Sequence, residues 1–181
     1  MTSVLNRSVT SSSTASEGAS PHAYDAGLLL VRVVLGLTVA AHGAQKLFGW
    51  FGGGGLDGTG QFFAQSGYPA GRTMAVIAGL SETLGGLGLV LGILTPLAGA
   101  AVLGTMINAL AVKWGGGFFA PAGVEFEVLL LAGAAGLALT GPGRIAVDRF
   151  LPGLRAHRLV YGVAGVLLAA VLAALVLLVR N

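Results

Sequence analysis

Apolar positions in this chain gather into long runs separated by short polar connections. Ala26–Leu47 and Thr73–Leu94 each hold about 22 residues, enough to cross a hydrocarbon core of ~30 Å at ~1.5 Å per residue. Leu97–Lys113 is shorter and ends at Trp114 and a glycine run, and Glu125–Thr140 is the shortest, at about 16 residues. Leu159–Val179 is long and carries no charge. The runs are too long for strands and do not alternate, so the pattern predicts an all-α polytopic transmembrane helical bundle with five spans. Residues 1–25 are rich in Ser and Thr and poor in large apolar side chains. Such a segment buries too little surface to fold, which predicts a disordered tail, and it lacks the apolar core of a secretory leader.

Polar residues inside the runs carry the chemistry. At 100° per residue, Arg32, Gly36, Val39, Gly43 and Lys46 share an arc of roughly 80° on the first span. On the second, Glu82 shares a face with Ala75, Gly79 and Gly86, while Gly88 and Gly92 have a spacing suited to close helix contact. A lone carboxylate at mid-bilayer costs roughly 3 kcal/mol, so Glu82 needs a partner. Arg32 sits ~9 Å deep and Glu82 ~9 Å beyond it, a gap two long side chains can close. The expectation is an intramembrane ion pair between Arg32 and Glu82. Towards the other membrane face, His42, Gln45, Lys46, Asn108, Lys113, Glu125 and Glu127 cluster at span ends. They predict a polar cavity open to the outside, sized for a quinone head group or a small oxyanion, with His42 able to relay protons. Simple snorkelling of Lys46, Lys113 and Glu125 to the interface is the alternative.

Composition sharpens this picture. The 181 residues are 55% hydrophobic and 9% charged, against about 25% charged in soluble domains, and mean hydropathy is +0.86. The 31 glycines suit helices packed closely in lipid. With no cysteine, the chain itself offers no disulfide, thiolate or iron–sulfur chemistry. A haem pair needs a second intramembrane histidine, whereas His22 and His157 fall in the tail and a loop. The glycine-rich loop GWFGGGGLDGTGQFFAQSGYP follows no strand, so it fails as a nucleotide motif. Its Trp50, Phe51, Phe62, Phe63 and Tyr68 suit an interfacial aromatic belt on a short helix. The net charge of +3 is too small and scattered for nucleic acid. Arg144, Arg149, Arg155 and Arg158 crowd one short connection, which places it and the N-terminus in the cytoplasm of a multi-pass plasma-membrane protein.

Four stretches resemble the DoxX family of small bacterial membrane proteins: LLVRVVLGLTVAAHGAQKLFG (29–49), GLSETLGGLGLVLGILTPLAG (79–99), the Lys113–Phe119 exit, and LALTGPGRIAVD (137–148). The likeness spans roughly residues 26–148, leaving 149–181 as a basic loop and an extra C-terminal helix. It implies a four-helix core. It also implies redox work at the membrane, as in an archaeal thiosulfate:quinone oxidoreductase or a mycobacterial complex with superoxide dismutase and a sulfurtransferase. Arg32, His42, Lys46 and Glu82 match the family's motif positions, as do Lys113 and Glu127. The leading expectation is a membrane component of a bacterial redox system that binds quinone or a small thiol or sulfur compound. Two rivals stay open: a non-enzymatic scaffold anchoring soluble redox enzymes, and a proton-coupled carrier, for which no inverted repeat is visible. Catalytic residues, substrate and self-association are left unassigned.

Overall fold

The computed structural model describes residues 20–181. Its long helices are α1 (Pro21–Phe48), α3 (Gly71–Leu91), α4 (Thr95–Lys113), α5 (Glu125–Thr140) and α6 (Leu159–Leu178), with a short α2 (Gly55–Gln65) between α1 and α3. No strand occurs among the described residues. Four helices, α1, α3, α4 and α6, have the length and hydropathy to cross a membrane. At 16 residues α5 falls short of that length, so the count of five spans read from the sequence is not reached by length alone. Leucines such as Leu30, Leu37, Leu84, Leu129 and Leu167 stand exposed around the outside. Lipid, not water, suits such a surface. The protein is a membrane protein.

The helix limits have local causes. Residues 1–19 of the expected tail lie outside the described residues, but α1 begins at Pro21, earlier than expected. Proline is preorganised for the first helical turn, and Asp25 is held by Arg144, so this turn is anchored. At its other end α1 stops at Gly49, whose φ of 71° is left-handed and whose N–H returns to Gln45 O. The turn between α3 and α4 takes Gly92 at φ 67° and Leu94 at φ 47°.

Small residues set the helix register. A methyl group added to Gly36 would lie 2.6 Å from Gly86 O, and one on Gly43 would lie 2.7 Å from Gly79 O. Alpha-1 and α3 therefore run antiparallel in backbone contact, Gly36 at Gly86 and Gly43 at Gly79. Gly99 brings α4 equally close to α5 at Ala134 and Ala138. Helix α6 lies along α4 and α5, with Gly165 against Pro96 and Gly162 against Ala138. The core between them is Leu35, Val39, Leu89, Val102, Leu103, Met106, Leu130, Ala134, Leu137 and Ala169.

The bundle thus has two ends. One holds the start of α1, the α3–α4 turn and the segment after α5. The other holds the end of α1, α2, the α4–α5 connection and the end of α6.

Candidate functional site

Arg32 occupies the first end and is 1% exposed. Its Nε donates to Leu89 O at 2.8 Å, which also accepts from Gly92 N–H, and its Nη2 to Val90 O at 3.0 Å, both carbonyls in the last turn of α3. Its Nη1 donates to Pro142 O and, at 2.9 Å, to Ile145 O. Beside it, Asp148 accepts from Leu94 N–H at 2.8 Å, from Thr95 N–H at 3.3 Å and from the Thr95 hydroxyl at 3.4 Å. That carboxylate caps α4 from a distant segment and holds Leu94 in its left-handed backbone. Asp148 N–H closes the ring by donating to Gly92 O.

The expected Arg32–Glu82 ion pair does not form. Glu82 is instead paired with Lys46, Nζ to Oε2 at 2.6 Å. Two geometric facts decide this. The glycine register puts Glu82 opposite the stretch near Ala40, eight residues or ~12 Å along the axis from Arg32. Helical side chains also lean towards their own N-terminus. In an antiparallel pair Arg32 and Glu82 therefore lean apart, while Lys46 and Glu82 lean together.

Lys46 and Glu82 belong to a cavity of about 490 Å³ in the second half of the bundle. Its wall is largely apolar, with Val39, Ile77, Met106, Leu130 and Leu172 among the lining residues. Set into it are His42, Lys46, Glu82, Asn108, Lys113 and Glu127, six of the nine residues singled out from the sequence. Gln45 is not among them: its amide reaches Phe51 O at 3.3 Å and supports the loop after α1. Glu125 also turns aside, accepting Ala120 N–H at 3.0 Å within the α4–α5 connection.

The polar groups are arranged as pairs. Glu82 is 3% exposed, a burial that an ionised carboxylate tolerates only beside a cation. Lys113 Nζ donates to Glu127 Oε1 at 2.8 Å, joining α4 to α5. The other oxygen of Glu127, Oε2, is buried with no hydrogen-bond partner among the described residues. His42 lies one turn before Lys46 with its ring 5.4 Å from that of Phe126. The Tyr68 hydroxyl donates to Asn108 Oδ1 at 3.1 Å, and Asn108 Nδ2 donates to Gly104 O at 3.0 Å.

Tyr68 corrects the aromatic-belt expectation. Trp50, Phe51 and Phe62 are exposed, but Tyr68 is buried in the cavity wall. Burial raises its phenol above the ordinary range, the nearby Arg180 opposing in part, so it remains a neutral donor. Arg180 lies 5.7 Å from the Tyr68 ring centre and donates to Ser66 O at 2.7 Å, and Asn181 N–H donates to Gly67 O. The end of α6 thus holds the α2–α3 turn in place, and its Ala169, Leu172, Ala173 and Val176 supply one side of the cavity. The sequence placed Tyr68 only in an aromatic belt and gave Asp148 no role of its own. The only available sign for Asp148 was its place at the end of the GPGRIAVD stretch.

Comparison with known proteins matches the DoxX family model to residues 27–114. A Bacillus subtilis (strain 168) protein named "Putative oxidoreductase CatD" is 35% identical over 129 residues, which are 71% of this chain and 89% of that protein. This chain belongs to the DoxX family. No solved structure matches it. The DoxX match contains both partners of the Lys46–Glu82 pair as well as Lys113, whereas Glu127 and α6 lie beyond it. The DoxX segment thus contributes most of the cavity's charge, and the rest of the chain contributes the buried acceptor and the closing wall.

Proposed function

We propose that this DoxX protein is a membrane component of a redox system and that its cavity receives a quinone-class ligand. The single observation that carries the reading is a mostly apolar cavity faced by two lysine–glutamate pairs and a tyrosine–asparagine hydrogen bond. Its volume falls within the ~300–1,000 Å³ range of small-molecule sites, and few convergent polar groups in an apolar wall are what orient an aromatic head group. The name of the Bacillus subtilis relative supports the redox assignment. A furrow on the outer surface of α3 and α4, lined by Leu84, Gly85, Gly88, Leu97 and Ala98, shares Ser81 and Ala101 with the cavity. It offers an apolar tail a path into the bilayer, which favours a lipid-soluble ligand over a small thiol.

In this reading the chain's own residues bind and orient the head group, exclude water, and hold a proton at His42. Quinone, when bound, supplies the two-electron chemistry, with electrons delivered by a partner. Extraction of purified protein and titration with short-tailed quinones in nanodiscs tests this. The expected result is saturable binding that Glu82→Gln weakens at least tenfold. Absence of copurifying quinone together with absence of saturable binding would overturn it.

A second reading has its own observation. Arg149, Arg155 and Arg158 are exposed at the opposite end of the bundle, whereas Arg144 is occupied by Asp25. This face suits an acidic soluble partner enzyme. Capture of such a partner that survives Glu82→Gln but fails when the three arginines become glutamine would favour it.

A further inference from the structure

Charge is divided unevenly between the two ends of the bundle. At the second end Lys46, Arg72, Lys113 and Arg180 stand with Asp57, Glu82, Glu125 and Glu127, so the signs balance. At the first end Arg32, Arg144, Arg149, Arg155 and Arg158 stand with only Asp25 and Asp148. The whole positive excess of the described residues therefore lies at the first end. Asp25 is taken by Arg144, and Asp148 caps α4 beside the buried Arg32. Arg149, Arg155 and Arg158 are left exposed, with no acidic partner among the described residues.

The segment that carries these arginines is pinned on both sides. Before it, Asp148 N–H donates to Gly92 O, and Asp148 Oδ1 accepts from Leu94 N–H at 2.8 Å. After it, His157 Nε2–H donates to Leu139 O at 2.9 Å, and Arg158 opens α6. In between, Leu151 N–H donates to Asp148 O and Leu154 N–H to Leu151 O. A backbone held in this way has less order to lose when something docks on it. Apolar side chains are set among the charges. Phe150 is 76% exposed, and Leu151 and Leu159 are exposed beside it. Sorting of the chain across a membrane needs only the charges. A lipid surface accounts for Phe150 as well, since an aromatic ring next to cations at the end of a transmembrane bundle belongs at head-group depth.

We propose that residues 149–158 form a docking surface for anionic phospholipid, with head-group phosphates facing Arg149, Arg155 and Arg158 and acyl chains against Phe150, Leu151 and the first turn of α6. The guanidinium fork matches phosphate oxygens two at a time, which an ammonium does not. Charge and apolar insertion act together here, and two such signals hold a membrane surface where one alone holds it weakly. The proposal is independent of the quinone-class reading, and it assigns the arginine face to lipid and not to a soluble enzyme.

Native mass spectrometry tests this on the full chain released from micelles that hold equal amounts of dioleoylphosphatidylglycerol and dioleoylphosphatidylcholine. The two lipids share their tails, so a preference reports the head group. Bound phosphatidylglycerol should exceed phosphatidylcholine by about tenfold or more, and glutamine at all three arginines should bring the ratio below about twofold. Phe150→Ser should lower the occupancy of both lipids. Equal occupancy by the two lipids on the unaltered protein overturns the proposal, as does a preference that survives loss of the three arginines. A ratio near unity with arginine-dependent capture of an acidic soluble protein makes this face a protein interface, and the lipid proposal falls. The three side chains make no hydrogen bond among the described residues, and the comparison of lipids on the unaltered protein stands even where a variant folds poorly.

Discussion

The two ends of the bundle bury charge in opposite ways. At the first end Arg32 spends its guanidinium on four backbone carbonyls, and Asp148 spends its carboxylate on the turn those carbonyls adjoin. The result is a lock that ties α1, the α3–α4 turn and the segment after α5. At the second end the charges meet as Lys46–Glu82 and Lys113–Glu127 around a void, and one carboxylate oxygen remains unmet. An ionisable residue in a membrane span is therefore not by itself a site. A cavity lined by the paired charges distinguishes the second end from the first.

The contrast can be broken most severely at the lock. Arg32→Leu should strand the carbonyls of Val90, Pro142 and Ile145 and cost about 3–5 kcal/mol, the range for removing one partner from a buried charged cluster. Thermal unfolding in detergent should show the loss, and whatever protein still folds should keep its ligand affinity. An Arg32 variant that unfolds normally but no longer binds would reverse the roles assigned to the two ends. Next in size, Asp148→Ala should cost about 1–3 kcal/mol by uncapping α4 and releasing Leu94, again without an effect on affinity.

The cavity should answer differently. Lys46→Met or Glu82→Leu alone leaves one charge buried and should destabilise the fold, whereas the two together should recover most of that loss, because an apolar pair can replace a buried ion pair at little cost. The doubly substituted protein should fold and yet fail to bind short-tailed quinone. Retained binding would remove this pair from the site.

The smallest effect belongs to Tyr68. Its phenol is raised in the folded protein, so the stability it lends is present below about pH 10, the ordinary phenol value, and is lost as pH climbs past it. Unfolding temperature followed between pH 8 and 11 should fall less steeply in Tyr68→Phe, with a loss of about 1 kcal/mol at neutral pH from the Asn108 hydrogen bond. An unchanged pH profile would show that this hydroxyl is not held as described.

Much of the architecture was readable residue by residue. The face shared by Arg32, Gly36, Val39 and Gly43 is buried, as is the face shared by Ala75, Gly79, Glu82 and Gly86, and Glu125–Thr140 is helical over its expected length. Six cavity residues could be picked out because charge inside an apolar run is costly enough to demand a polar neighbourhood. Their pairing could not. Glu82 had two cations within nominal reach on the same helix face, and axial depth alone favoured neither.

What the chain's order of residues determined by itself is where helices form and which side of each turns inward. Both follow from short-range periodicity and from the transfer of each side chain out of water. Which charges meet was left to the folded bundle. That choice depends on the antiparallel register set by Gly36 against Gly86 and Gly43 against Gly79, and on side chains leaning towards their own N-terminus. A relation between two helices far apart in the chain has no local imprint, and the same is true of the unmet oxygen on Glu127.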